Sequence, residues 1–254
     1  MFSSSCKSAA RALRPHFPVA SEFAAIGALV RCARTKRYAS TAAAPQVEQI
    51  SSHDYQSPET SRRTPLSKEQ KEFLDGALRV NQAGELAAVL IYLSQTPPIV
   101  RSHPHLRPLM KHMLDQERGH FDTFNHLLAK HRIRPTVMYP VWTAASTLLG
   151  WGTGVMGREA AMACTEAVET EIGQHYNEQV AELLDWEKQL EAKGEELGPE
   201  LKELLTNLRR IRDEELEHLD HAVENDAKEA RPYELLTNVI RGGCRAAIWL
   251  TEKA

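Results

Sequence analysis

One word, written twice, constrains this chain more than anything else in it. Asp115-Gln116-Glu117-Arg118-Gly119-His120-Phe121-Asp122 returns far downstream as Asp213-Glu214-Glu215-Leu216-Glu217-His218-Leu219-Asp220. A Glu and a His three residues apart on a helix lie about 60° apart around its axis and one turn along, so both side chains can reach one metal ion from one face. Two such pairs, each joined by a lone Glu from another helix, make the dinuclear carboxylate site of a four-helix bundle. Among 11 histidines, two E-x-x-H matches stand little above chance by count, so their surroundings decide.

Those surroundings are helical throughout, and the chain is expected to be all-α: a four-helix bundle with additional helices that face a membrane. Ser67-Lys68-Glu69-Gln70 is a capping box. After it Phe73, Leu74, Ala77, Leu78, Asn81, Glu85, Ala88, Val89 and Tyr92 follow helical spacing, and Pro97-Pro98 is expected to end that helix. A second helix should start near Pro104 or Pro108 and reach about His131, with Leu109, Met113, Glu117, His120, Phe124 and Leu128 along one stripe. The third bundle helix spans about Arg158 to Glu191. The charged stretch Trp186–Glu200 reads as its fraying end and an exposed loop. Pro199 suits the first turn of a fourth helix running to about Ala230, and Pro232 opens a last one.

Between the two halves, Pro135 to Gly157 carries no formal charge. The length approaches a bilayer span, but Pro140 and the glycines weaken it, and helix from Pro140 onward covers only about 25 Å. A helix buried in the bundle, or lying in a membrane interface with its Trp residues at the boundary, fits better. Gly152-Thr153-Gly154-Val155-Met156-Gly157 matches the dinucleotide pattern G-x-G-x-x-G by letter only. It lacks the preceding strand, and small residues that allow close helix contact explain it better.

Residues 1–37 read as a mitochondrial transit peptide, being rich in Arg, Ser and Ala with Glu22 as their one acid. Residues 38–66 read as a linker and 67–254 as the functional domain. Taking the leader's seven basic residues and one acid from the totals of 31 and 34 leaves 24 against 33. That acidic balance argues against a nucleic-acid-binding face. Cys164 and Cys244 have neither metal-ligand spacing nor the density of a disulfide scaffold, which fits a reducing compartment.

The order Glu85, Glu117/His120, Glu169, Glu215/His218 supplies four carboxylates and two imidazoles from the four bundle helices. Glu166, one turn before Glu169, competes with it, as Glu217/His221 competes with Glu215/His218. A donor set this rich in carboxylate suits iron or manganese better than zinc or copper. Tyr176 lies seven residues after Glu169 with His175 beside it; either a relay role or simple core packing fits.

From about Leu78 onward the chain resembles the demethoxyubiquinone hydroxylase family of ubiquinone biosynthesis. The resemblance rests on Arg79-Val80-Asn81-Gln82-Ala83-Gly84-Glu85, Asp115-Gln116-Glu117, Arg134-Pro135-Thr136-Val137, Ala161-Met162-Ala163-Cys164-Thr165, His175-Tyr176-Asn177, Arg212 to His218, and Gly243-Cys244-Arg245. It implies a ferritin-like fold with two iron ions held by Glu85, Glu117, His120, Glu169, Glu215 and His218, favouring Glu169 over Glu166. It further implies hydroxylation of a demethoxyubiquinone-type polyprenyl ring with O2 as co-substrate and NADH as reductant, with His175 and Tyr176 near the quinone and electron path. The expected setting is peripheral, on the matrix face of the mitochondrial inner membrane, in a biosynthetic complex with a lipid-binding partner. The Trp186–Glu200 segment departs from the family by its length. The competing readings are a ferritin-like oxidase, a manganese catalase, and an iron-storage or scaffolding bundle without turnover.

Overall fold

The computed structural model describes residues 65–253, all of them helix or short connections. The expected transit peptide and nearly all of the expected linker lie outside the described residues. Six helices follow in order: α1 (Lys68–Ser102), α2 (Arg107–His131), α3 (Tyr139–Met156), α4 (Arg158–Glu191), α5 (Pro199–Glu224) and α6 (Tyr233–Lys253). Single 3-10 turns precede α2 and follow α5. No strand occurs among the described residues.

Helices α1, α2, α4 and α5 form the bundle, and their cross-helix pairs show how they run. From α2 to α5 the pairs are Lys130–Glu203, His120–Glu214 and Gln116–His218, so the two helices are antiparallel. From α1 to α4 they are Asn81–Gln179, Glu85–Tyr176 and Tyr92–Glu169, antiparallel again. The Gln82–Asn125 bond and the Glu85–His120 approach set α1 against α2 in the same way. Helix α3 is the crossover between the two halves, which is the ferritin-like arrangement.

Apolar side chains pack in three clusters, two of which have the polar centre between them. One end holds Leu74, Leu78, Phe124, Leu128, Leu183, Leu201 and Leu208. The other holds Val89, Ile99, Met110, Met113, Met162 and Ala222. Burial of this kind contributes about 25 cal/mol per Å² of apolar surface, and it also seals the centre from water at both ends.

Three boundaries differ from expectation. Helix α1 does not stop at Pro97-Pro98 but continues to Ser102. Pro97 faces solvent, and Leu93 and Ser94, whose carbonyls lose their helical donors, are only half-buried; Ile99 and Val100 beyond them are core residues. Packing outweighs the two missing N–H groups. The expected fraying of α4 from Trp186 does not occur: Trp186 meets Phe73 edge to face at 5.0 Å, α4 holds to Glu191, and Leu197 in the following loop is buried. Helix α5 ends at Glu224 rather than near Ala230. There Asn225 donates its side-chain amide to the His221 carbonyl (2.8 Å), and Asp226, paired with Arg158, adopts φ 70. A local side-chain bond of this kind competes with the next helical turn.

The capping box is present, with Ser67 and Gln70 exchanging bonds of 3.0 and 3.1 Å. Helix α3 lies against α1 along Ser146, Gly150, Thr153 and Gly154. A Cβ on Gly150 would sit 2.5 Å from the Ile91 carbonyl oxygen, and one on Gly154 would sit 3.0 Å from the Gln95 Cα. Close helix contact therefore accounts for Gly150 and Gly154, but not for Gly152, where a Cβ would meet nothing within 4 Å. The opposite faces of α3 and α6 leave Leu148, Trp151, Val155, Leu235, Val239 and Trp249 exposed. No described helix is long and apolar enough to cross a membrane.

Candidate metal centre

Four bundle helices aim six titratable side chains at the middle of the molecule. Glu85 comes from α1, Glu117 and His120 from α2, Glu169 from α4, and Glu215 and His218 from α5; each is 1% exposed or less. Their donor atoms form two overlapping sets, one of Glu85, Glu117, His120 and Glu215, the other of Glu117, Glu169, Glu215 and His218. Within each set all donor atoms lie within 4.8 Å of one another. Glu117 and Glu215 belong to both, while Glu85 and Glu169 each belong to one.

The histidines present the same nitrogen. His120 Nδ1 lies 2.9 Å from Glu215 Oε1 and 3.5 Å from Glu85 Oε2. His218 Nδ1 lies 3.0 Å from both Glu117 Oε1 and Glu215 Oε2. Each Nε2–H is used elsewhere, and the two words cross. His120 of the first copy donates to Glu214 of the second at 2.6 Å, and His218 of the second donates to Gln116 of the first at 2.9 Å. Such bonds fix the tautomer that leaves Nδ1 free for a metal. Glu214 is in turn held by Arg210 at 2.9 Å.

The lone carboxylates are crossed in the same manner. Tyr176 of α4 donates its hydroxyl to Glu85 of α1, and Tyr92 of α1 donates to Glu169 of α4 at 3.2 Å. Tyr92 is the residue that sequence reasoning missed. Its signal was present, since Tyr92 follows Glu85 by the same interval at which Tyr176 follows Glu169.

Four carboxylates this close and this buried must be balanced by cations. Burial pushes the Glu85 carboxyl up to about 8 and holds Glu169 well above the usual carboxylate range. Glu215 is also opposed by burial, but its hydrogen bonds with His120 and His218 carry it down to about 2. His218, despite burial, rises to about 11 beside Glu117 and Glu215, and His120 is raised in the same way. Protons then neutralise the cluster where metal does not. Two divalent cations would match four carboxylates charge for charge.

The competing residues lie elsewhere. Glu166 points away from the centre and is taken by Lys228 and the Tyr233 hydroxyl. Glu217 and His221 sit at the surface with His112, and His126 is exposed. Cys164 is buried, its thiol pushed up to about 12 by that burial, and Cys244 is partly buried. His175 lies beside the centre rather than in it, accepting a 2.7 Å bond from Gln179 and lining a surface cleft of about 490 Å³ with Arg241, Arg245 and Trp249.

Over residues 72–251 the sequence matches the family described as ubiquinone biosynthesis protein COQ7. The 5-demethoxyubiquinone hydroxylase, mitochondrial, of Saccharomyces cerevisiae is 46% identical over 190 residues, covering 74% of this chain and 81% of that one. The human NADPH-dependent 3-demethoxyubiquinone 3-hydroxylase, mitochondrial, is 41% identical over 180 residues, 71% of this chain and 77% of its own. The 3-demethoxyubiquinol 3-hydroxylase of Rhodospirillum rubrum is 35% identical over 220 residues, covering 87% and 97%.

Proposed function

This chain belongs to the COQ7 family of ubiquinone biosynthesis proteins and is a hydroxylase of that pathway, and we propose that it works as a dinuclear iron monooxygenase on the ring of a demethoxyubiquinone-type polyprenyl quinone or quinol. The observation that carries this reading is a set of orphaned atoms. Glu85 Oε2, Glu117 Oε2 and Glu169 Oε2 are all buried without a hydrogen-bond partner. Unsatisfied carboxylate oxygens cost folding energy unless a cation takes them. All six expected ligands surround this one place, and oxygen-rich coordination suits iron.

Iron held there would supply the reduction of O2, one oxygen atom going to the ring and the other to water, with the electron pair from NADH and one proton from solvent completing the balance. The chain's own residues prepare that chemistry. Glu117 and Glu215 are placed to serve both metal positions, Glu85 and Glu169 to complete one each. Tyr176 and Tyr92 orient the two lone carboxylates, and Glu214 and Gln116 the two imidazoles. The apolar clusters at either end keep water out. His175 and Tyr176 join the surface to the centre in consecutive residues: one lines the cleft and the other touches Glu85. Burial lowers the His175 pKa and favours its neutral ring.

The yeast and human relatives are named mitochondrial, and we place this chain in the same organelle. Its proposed position is the matrix face of the inner membrane, held peripherally by the apolar faces of α3 and α6, in a complex that includes a lipid-binding partner. The human relative's name specifies NADPH, so the reductant is assayed in both forms.

The test is iron content together with aerobic turnover of a short-chain demethoxyquinone by the purified full chain, with NADH or NADPH. Two irons per chain and a hydroxylated product are expected, both lost in Glu169→Ala and both kept in Glu166→Gln. Protein that turns over without iron sinks the metal reading. Iron-loaded protein that leaves the quinone unchanged sinks the substrate.

A further inference from the structure

The antiparallel seam that brings the two metal-ligand words together continues one turn beyond them. Running outward from the centre, α2 and α5 pair His120 with Glu214, then Gln116 with His218. The next rung sets His112 of α2 against Glu217 and His221 of α5. His112 Nε2 lies 3.9 Å from Glu217 Oε1, and His221 Nε2 lies 3.5 Å from the same oxygen. One donor atom from each residue falls within 4.8 Å of the other two. We propose that His112, Glu217 and His221 form a surface site for one divalent transition-metal ion of the zinc or copper class, separate from the buried centre.

Three observations carry this. The first is spacing: at metal–nitrogen bonds of about 2.0–2.1 Å, two donors on a tetrahedral ion stand about 3.3 Å apart, and the two histidines already stand 3.9 and 3.5 Å from the shared Glu217 oxygen, with all three donors inside 4.8 Å. The second is chemistry: two imidazoles and one carboxylate are a nitrogen-richer set than either half of the buried centre, and imidazole favours zinc, copper or nickel where carboxylate favours iron or manganese. The third is orientation: behind His221, its Nδ1 faces Glu224 Oε2 at 3.7 Å, a carboxylate on the far side of the ring from the other two donors. That is ion-pair rather than hydrogen-bond distance, and a shift of under about 1 Å would make the bond by which a carboxylate orients a ligating histidine and raises its basicity. The side chains of His112 and Glu217 are half exposed, which leaves room for water to complete the coordination.

An ion at this position ties α2 to α5 directly, one turn from the residues that position His120 and His218. The site therefore acts as a clamp on the two helices that carry both E-x-x-H pairs.

The experiment uses the full-length chain with its iron already bound, titrated anaerobically with Zn2+ while iron content is followed. Wild type is expected to take up one zinc beyond its iron and to melt at a higher temperature once it does. His112→Ala and His221→Ala should each weaken that uptake about tenfold or more and abolish the melting shift, with iron content unchanged. Titrated with Cu2+ instead, wild type should give an electron paramagnetic resonance spectrum split by imidazole nitrogens, and the double variant should not. Zinc uptake that is the same in wild type and in the His112→Ala/His221→Ala variant overturns the proposal, as does no uptake by wild type. Glu169→Ala, which removes only a buried ligand, should keep the surface site; the two metal readings thus fail separately.

Discussion

Each lone carboxylate of the centre receives its hydroxyl from the opposite helix, and each histidine of a repeated word is held by the residue before the Glu of the other copy. Those crossings make the orienting groups testable one at a time. Glu214→Ala leaves the His120 Nε2–H buried without an acceptor and should weaken iron binding at that position by about 10- to 100-fold, the usual cost of losing an outer partner. Glu214→Gln keeps an acceptor and should recover most of it; equal affinities in the two variants, measured by anaerobic iron titration, would show that Glu214 does not orient His120. The protons follow the same geometry. Without metal, Glu85 at about 8 and His218 at about 11 hold protons at neutral pH. Iron must displace them, so the metal-free form binds more protons and lowering the pH favours it. Iron affinity should fall as pH falls through and below 8, and adding iron to unbuffered protein at pH 7 should release acid; a pH-stat measures both. That these six side chains would meet was legible because residue type and spacing act together in the E-x-x-H words, while the choice of Glu169 over Glu166 came with the family resemblance. Tyr92 was not picked out, since a Tyr on an apolar stripe reads as core until a partner helix brings a carboxylate to it.

At the scale of the element, α3 shows what backbone approach does that side-chain pattern cannot express. Its letters Gly-x-Gly-x-x-Gly were attributed to close packing, but the contact falls on Gly150 and Gly154, while a Cβ on Gly152 would meet nothing within 4 Å. Gly150→Ala drives a methyl onto the Ile91 carbonyl oxygen, which neither helix can yield cheaply; a loss of about 1–3 kcal/mol is expected. Gly152→Ala, in the same helix and in open space, should be neutral or add up to about 1 kcal/mol through helix propensity. Thermal melts of the pair separate close contact from propensity, and equal effects would count against the contact. Helix identity was legible everywhere, because 3.6-residue periodicity and caps are local. The ends that differed had different causes: core burial of Ile99 and Val100 carries α1 past two prolines, Phe73 holds α4 through Trp186, and the cap residues Asn225 and Asp226 stop α5 early. The first two rest on packing across the bundle, which no local pattern shows, whereas the Asn225 cap was local and was passed over.

For the whole molecule, the buried centre and the proposed insoluble substrate have to be reconciled. A polyprenyl tail will not cross water, yet no described helix is long and apolar enough to span a bilayer. What the fold offers instead is two helices outside the bundle with apolar faces left uncovered. Along α3, Leu148 is 67% exposed and Trp151 58%; along α6, Val239 is 65% exposed and Trp249 58%. Trp142 donates to Thr251 at 3.0 Å and ties one helix to the other. Exposed apolar surface with tryptophan at its margin is costly in water and favourable at the level of lipid headgroups, where a helix lies in the interface rather than across it. The chain should therefore co-sediment with phospholipid vesicles, and Trp151→Glu combined with Trp249→Glu should abolish that binding while iron content and melting temperature stay near wild type. The same variant should turn over a short-tailed demethoxyquinone in solution at about the wild-type rate but lose most of its activity on a long-tailed one presented in vesicles. A variant that loses both activities equally would place these tryptophans in the fold or the chemistry instead, and wild type that stays in the supernatant would remove the membrane from the reading altogether.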